Sequence, residues 1–330
     1  MEERVKNLAT KAMLAVLLAG MGVSPSRGDQ PKADSLSVDT AIEQLGSADV
    51  AIRWDAVRRL GEGGPSAAAA VPVLTEMLAN PREHEYVRGM AARTLGRIGA
   101  EARSAVPVLI DVLSSAHVSV RRNAPIALAQ LEASEPATIA ALRPLLDDGD
   151  EVVRVRAASA LWQLSETEEA VEYLRTASAA RGREAYEAVV ALGSLGAPEQ
   201  RILSTLAAAL AHADADVRDT AARVLGRMGK NALPALKKPL EEGDVEARVA
   251  AVEALGWMGE GGVPALIYAL KNDQASVRRA AARALGRMGV SAGAAASALV
   301  EAVNDPQAEV RAAAAKALQR VRGAAGHQSR

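Results

Sequence analysis

The side chains able to do chemistry are few and scattered. Four histidines, His84, His117, His212 and His327, are the only imidazoles that could hold a metal or move a proton near neutral pH. His84 and His117 lie 33 residues apart, in equivalent turns of what emerges below as a repeat. One structural layer then separates them, too far for a shared zinc ion with ligand bonds of ~2 Å. Asp147-Asp148-Gly149-Asp150-Glu151 resembles part of a calcium loop but lacks the length and the distal Glu of an EF-hand. Glu166, Glu168 and Glu169 read as a solvated helix start. Gly61-Glu62-Gly63-Gly64 and Gly256 to Gly262 are glycine-rich, yet they follow helical patterns rather than strands, so they read as helix-ending turns and not as phosphate cradles. No cysteine occurs among the 330 residues, which excludes a disulfide framework, a thiolate metal site and a thiol nucleophile in this chain. No metal, cofactor or catalytic group is expected.

Charge gives no stronger lead. The 39 Lys and Arg nearly balance 40 Asp and Glu, so no global field favours nucleic acid or an anionic membrane. One local basic pattern stands out. Arg58, Arg93, Arg223, Arg283 and Lys316 share one repeat position, with Arg97, Arg227, Arg287 and Arg320 four residues further on. This broken file is absent between 121 and 190. It reads as a solvated face, with an anionic polymer as the alternative partner.

The elements that must position all of these side chains repeat about every 33 residues. Arg53, Arg88, Arg121, Arg154, Arg218, Arg248, Arg278 and Arg311 mark the register, and Ala185 takes the missing place. Three residues after each of these positions stands Ala, and seven after stands Leu. Offsets of three and seven share one face of an α-helix. Each unit therefore opens with a helix that buries the Ala and the Leu. In six units Gly-x-x-Gly follows directly (Gly61/Gly64, Gly96/Gly99, Gly193/Gly196, Gly226/Gly229, Gly256/Gly259, Gly286/Gly289), read as the helix end. A second helix starts near Pro72, Pro107, Pro234 or Pro264, where a missing N–H costs nothing. The pattern predicts an all-α chain of about eight stacked helix pairs with a half-unit at each end. The recurrent Arg, beside Asp49, Asp150, Asp214 or Asp244 as helix caps, is expected to tie each helix to a neighbouring turn. The unit from Arg181 to His212 lacks its Arg, and Gly182 sits in its joint. A change of curvature or a flexible joint is expected there.

Three segments are near copies: Ala91-Ala92-Arg93-Thr94-Leu95-Gly96-Arg97-Ile98-Gly99, Ala221-Ala222-Arg223-Val224-Leu225-Gly226-Arg227-Met228-Gly229 and Ala281-Ala282-Arg283-Ala284-Leu285-Gly286-Arg287-Met288-Gly289. With Asp214-x-x-Val217-Arg218 before and Pro-x-Leu after, they resemble short HEAT repeats, the subtype named after phycobilisome-lyase proteins. The resemblance covers residues 39–322 and implies a right-handed α-solenoid with second helices on the concave side. Deoxyhypusine hydroxylase, an enzyme of HEAT-like build, holds iron with several His-Glu pairs. This chain has the single pair His84-Glu85, and that activity is not expected.

Binding is the better expectation. On the second helices, the positions facing away from the buried Leu include Thr75, Glu76, Ile110, Asp111, Arg143, Ala207, Lys237, Lys238, Ile267, Tyr268 and Glu301. By the resemblance they form a concave ridge. They vary while the buried positions do not, as a ligand surface on a fixed scaffold would. Their mixture of signs and apolar groups suits a peptide or protein. Nucleic acid would want a continuous basic track. A non-catalytic scaffold or adaptor is the leading expectation. A bilin lyase or isomerase is the alternative implied by the subtype, and an anionic-polymer binder the alternative offered by the Arg file.

The N-terminal residues carry a separate signal. Arg4, Lys6 and Lys11 precede the apolar run Ala12 to Val23, with Ser24-Pro25-Ser26 beyond. This reads as a secretory signal peptide over 1–26, since a membrane span needs ~20 apolar residues. Residues 27–38 read as a linker and 323–330 as a polar tail. The expected location is extracytoplasmic, or cytoplasmic if the segment is not a signal.

Overall fold

Two interlocking devices organise the layers of the structure: small side chains on one face in all of them and, in all but the layer of Ala185, a carbonyl-seeking arginine at one end. A computed structural model describes residues 37–195 and 200–323, so the N-terminal signal and most of the C-terminal tail proposed above lie outside the described residues. The chain divides into two compact units at Ala133/Ser134.

The first unit contains α1 (Val38–Gln44), α2 (Val50–Gly63), α3 (Val71–Ala79), α4 (Glu85–Ile98), α5 (Val106–Asp111) and α6 (Val118–Gln130). The second contains α7 (Pro136–Leu142), α8 (Glu151–Ser165), α9 (Glu168–Ser178), α10 (Arg183–Ser194), α11 (Gln200–Ala209), α12 (Ala215–Arg227), α13 (Leu233–Glu242), α14 (Val245–Trp257), α15 (Val263–Ala269), α16 (Ala275–Met288), α17 (Ala296–Ala302) and α18 (Ala308–Val321). No strand occurs among the described residues, and the fold class is an all-α solenoid. In the first unit α2, α4 and α6 stack in sequence, and in the second α8, α10, α12, α14, α16 and α18 do so. The helices flanking the Arg181–His212 joint remain in this series, with α10 packed on both α8 and α12.

Helix starts follow from their caps. Asp49 accepts from the Ala51 N–H at 2.8 Å, Asp214 from Asp216 at 2.8 Å and Asp244 from Ala247 at 2.7 Å. Asp150 accepts from both Val152 and Val153. Each cap satisfies a backbone donor that the helix cannot, for about 1 kcal/mol. All nine recurrent Ala are fully buried, from Ala56 to Ala314. Eight of the nine recurrent Leu are buried as well, and Leu318, on the last helix, is half-covered. Second helices start at Pro72, Pro107, Pro234 and Pro264 in their first turns, as expected. They are entered through 3-10 segments such as Gly64–Ala70 and Gly99–Ala105, which the periodicity did not reveal.

The Gly-x-x-Gly pattern needs a correction, because its two glycines do different things. The second is the helix end, at positive φ: Gly64 (54°), Gly99 (77°), Gly229 (63°), Gly259 (66°) and Gly289 (59°). Gly196 lies outside the described residues. The first glycine sits inside the helix, where the next first helix comes too close for a side chain. A Cβ on Gly226 would stand 2.2 Å from the Trp257 Cβ, and one on Gly96 would stand 2.8 Å from the Ala127 Cα. Where the second glycine is missing the turn persists at a cost. Glu132, at the same register as those glycines, and Glu166 adopt φ of 52° and 48°, which costs an L-residue roughly 1–2 kcal/mol.

The recurrent arginines lie across the turn before each helix. One terminal nitrogen of Arg53, Arg121, Arg218, Arg278 and Arg311 donates to two carbonyls of that turn, as Arg218 does to His212 at 2.7 Å and Ala213 at 2.8 Å. The remaining nitrogens of several reach a carboxylate of the following layer. Arg53 grips Glu83 through two bonds of 2.7 and 2.9 Å, and Arg278 grips Asp305 through two of 2.6 and 3.0 Å. Arg154 donates to Glu184 and Arg248 to Asp273. The fork thus closes turn carbonyls and crosslinks layers at once, a geometry that lysine cannot reproduce.

Two predictions follow from these contacts. Gly226→Ala should lower the melting temperature although Ala is the better helix former by about 1 kcal/mol, whereas Gly293→Ala, with nothing within 4 Å of the added Cβ, should leave it within about 1 °C. Paired thermal melts check this. The bond to Arg278 holds the Asp305 carboxyl below the usual carboxylate range. A depressed folded-state pKa stabilises above the unfolded value and is lost as pH falls through the folded one. Asp305→Asn should therefore cost about 1–3 kcal/mol at pH 7. Denaturant melts from pH 7 down to pH 2 should show that difference shrinking below about pH 4.

Candidate functional site

The variable positions of the second helices come to the surface in both units. In the first, Glu76 and Asp111 are exposed, while Thr75 and Ile110 are half-buried. The Thr75 hydroxyl donates back to the Val71 carbonyl of its own helix at 2.7 Å. In the second, Lys237 and Lys238 on α13 are exposed, Tyr268 on α15 is 60 % exposed and Ile267 is half-buried beside it. Arg143 approaches Glu169 at 3.6 Å and Glu301 approaches Lys271 at 3.7 Å. Ala207, assigned to this set by spacing, is buried and drops out, because α11 turns that face toward its neighbours. The register explains why Ile267 and Tyr268 are presented. Leu266, Ala269 and Leu270 take the buried face of α15 and leave the two intervening positions outward.

The basic file is broken in space as well as in sequence. Arg58 pairs with Asp55 at 2.7 Å and also with Glu62. Arg223 lies 3.4 Å from Asp219, and Arg287 pairs with Glu253. Burial holds the Arg93 guanidinium below its usual pKa, with the charge of Arg97 adding to the effect. Arg283, Arg287, Lys316 and Arg320 line a shallow cleft of about 210 Å³ between α16 and α18, over Gly286 and Ala317.

The titratable groups that do meet are bound up in structure. Tyr173, Arg154 and Glu184 form a triangle in which the Tyr173 hydroxyl donates to Glu184 at 2.5 Å and accepts from Arg154 at 2.8 Å. Burial, with the bond to Glu184 next, pushes the Tyr173 pKa up to about 12, so the phenol stays neutral. The Arg154 guanidinium is raised overall by Glu184 and Tyr173, against desolvation as the largest single effect. The triangle joins Arg154 and Tyr173 of one unit to Glu184 of the next, the unit without its own Arg. A phenol held at so high a pKa is a poor general acid or base at pH 7.

The histidines are turn residues. His84 accepts from the Tyr86 N–H at 3.3 Å through Nδ1, His117 approaches Glu85 at 3.5 Å and His212 bonds the Ala180 carbonyl at 2.7 Å. His327 lies outside the described residues. In the acidic loop Asp150 caps α8, and Asp148 accepts from the Asp150 N–H. Among the described residues no group of three or more His, Asp or Glu is arranged to hold a metal ion. No described helix is long and apolar enough to cross a membrane.

One feature was not anticipated. A cavity of about 430 Å³ opens beside the turns of the first unit, lined by Arg88, Asp111, Ser114, Ser115 and His117 among others. Its sequence signal is the longest interval in the Arg register, 35 residues between Arg53 and Arg88. The turn before Arg88 is two residues longer, and Arg88 bonds the Leu78 carbonyl ten residues back where Arg53 and Arg218 bond carbonyls five and six back.

Comparison with known proteins agrees with this architecture. The family described as HEAT repeats matches residues 38–129, 106–193, 176–256 and 233–319. No curated protein matches. Among solved structures, the chain is similar to Kap95p in its complex with RanGDP, with 14 % identity over 88 % of this chain and 45 % of that one, at a TM-score of 0.51. It is similar also to the karyopherin Kap121p bound to the extreme C-terminus of the protein phosphatase Cdc14p, with 16 % identity over 94 % and 40 %, at a TM-score of 0.51. The chain thus spans less than half the length of these two relatives. The complex of CpcE and CpcF, a phycocyanin lyase of Nostoc, shares 23 % identity over 90 % and 92 %, but its TM-score of 0.33 supports no inference. The residues matched take in nearly all of the described chain, and the protein belongs to the HEAT repeat family.

Proposed function

We propose that the protein is a non-catalytic scaffold that binds a peptide or another protein through the outward positions of its second helices. The observation that carries this reading is the pair Ile267 and Tyr268, an apolar contact left open on a helix that buries Val263, Leu266 and Ala269, one repeat from the exposed Lys237 and Lys238. An exposed aromatic beside flexible cations is a common composition for an interface centre and its rim. The karyopherin structures named above hold protein and peptide partners on the same class of fold. The titratable groups that cluster are consumed in layer contacts, which favours a binding role over an enzymatic one. The basic residues near the C-terminal end supply the rival reading, an anionic polymer.

The apolar stretch at Ala12–Val23 behind Arg4, Lys6 and Lys11 supports an extracytoplasmic location. Cell fractionation with N-terminal sequencing should find the protein outside the cytoplasm and beginning at Arg27. An intact N-terminus in the cytoplasm would refute the location alone.

A photo-crosslinker at position 268 should capture a discrete protein. Substituting Ala at both Ile267 and Tyr268 should weaken its purified binding by about 2 kcal/mol or more, roughly thirtyfold. The same change at Val290, which is 71 % exposed but on no second helix, should leave affinity within twofold. Equal loss from both sites, or steeply salt-dependent binding of nucleic acid in place of protein, would favour the rival.

A further inference from the structure

The repeat arginines provide their own controls. Arg53, Arg154 and Arg278 carry 16, 24 and 12 % side-chain exposure, and each meets a carboxylate of the following layer. On a whole-residue basis Arg88 is buried where those three are half-buried, yet its bond to a described residue is the single one from Nε to the Leu78 carbonyl at 3.0 Å. Its terminal nitrogens are not among the fully buried unpaired atoms, so they face the open cavity beside them with no countercharge. The sequence of the next turn explains the difference. Glu83 stands five residues before Arg88, and Asp305 six before Arg311. Counting back from Arg121, those two places hold Ala116 and Ser115. Both line the 430 Å³ cavity together with Arg88, so the repeat's carboxylate is replaced by open space bordered by Ser114, Ser115 and His117.

We propose that this cavity is a binding site for a carboxylate of a peptide, with Arg88 gripping the ligand as its sister arginines grip Glu83 and Asp305. The two terminal nitrogens of a guanidinium match the two oxygens of a carboxylate, and Ser114 and Ser115 border the same space, their hydroxyls bonded within the turn to the Asp111 carbonyl and the His117 N–H. Asp111, exposed at the rim, restricts the ligand to one carboxylate with a donor close by, as a peptide N–H beside an acidic side chain or a C-terminus supplies. Asp111 also belongs to the outward row of the second helices, so the site extends the docking reading. It stands independently of Ile267 and Tyr268, since the two are probed at different residues.

The test is NMR titration of the full chain, following the Arg88 Nε–Hε signal. The probes are acetyl-Gly-Asp-Gly-amide, acetyl-triglycine with a free C-terminus, acetyl-Gly-Asn-Gly-amide and sodium acetate. One or both carboxylate peptides should shift the signal saturably, and the response of each separates an acidic side chain from a C-terminus as the source. The Asn peptide should not shift it, and acetate should act at least tenfold more weakly. Ser115→Asp places a carboxylate where Asp305 stands in its own turn, and can still accept from the His117 N–H as Ser115 does. It should raise the melting temperature and weaken peptide binding at least tenfold. Arg88→Met should abolish binding, and Ser115→Asp keeps the test intact if that variant does not fold. No shift with either carboxylate peptide, an equal shift with the Asn peptide or acetate, or undiminished binding in Ser115→Asp would overturn the proposal.

Discussion

Close approach between successive first helices is the constraint on which the rest depends. At Gly96, Gly226 and Gly286 an added methyl would fall within about 3 Å of the next helix's backbone or Cβ. The Ala three residues into the register, buried in every layer, keeps the same face thin. Close-packed interiors tolerate neither voids nor excess volume, so this spacing then fixes what surrounds it. The helix ends sharply at a positive-φ residue, glycine in five layers, and in those layers the chain returns through a short 3-10 segment to a second helix that packs against the first. The arginine serves the same geometry from the other end by closing the turn that precedes each helix.

Regularity of this kind separates support from function. Residues that hold layers together recur, and whatever departs from recurrence is free to serve something else. Three departures stand out. Tyr173 joins the ladder bond from Arg154 to Glu184, just before the layer whose own Arg is missing. Ile267 and Tyr268 leave apolar surface open to water. Arg88 keeps its place in the register while the turn after it loses the carboxylate its sisters use. The first departure belongs to the scaffold, and the other two are the places proposed above for a ligand.

Much of this was legible in the sequence because helix periodicity and repeat periodicity reinforce each other. Ala and Leu at fixed offsets from Arg located all nine first helices, and Pro near the start of the second helices located four more. The carbonyl and carboxylate partners of the Arg could be expected from chemistry, but not which carboxylate, since Glu83 and Asp305 occupy slightly different places in their turns. Spacing could not distinguish the two glycines of Gly-x-x-Gly, because a helix interior beside a close neighbour and a helix end select the same residue for different reasons. It misplaced Ala207, which α11 turns into the buried face. The cavity at Arg88 left only a faint trace in the sequence, a turn with Ser115 and Ala116 where other turns carry a carboxylate. The interval of 35 residues is the other hint.

The central claim is that a helix pair owes its fold to the layers on either side. The most direct measurement is circular dichroism of the isolated pair, residues 245–274, against the same segment's helicity in the intact chain. The pair contains α14 and α15, whose Ala251, Leu255 and Leu266 would lose their cover. The account predicts a largely unfolded peptide without a cooperative melt. A helical hairpin that melts cooperatively by itself would contradict it.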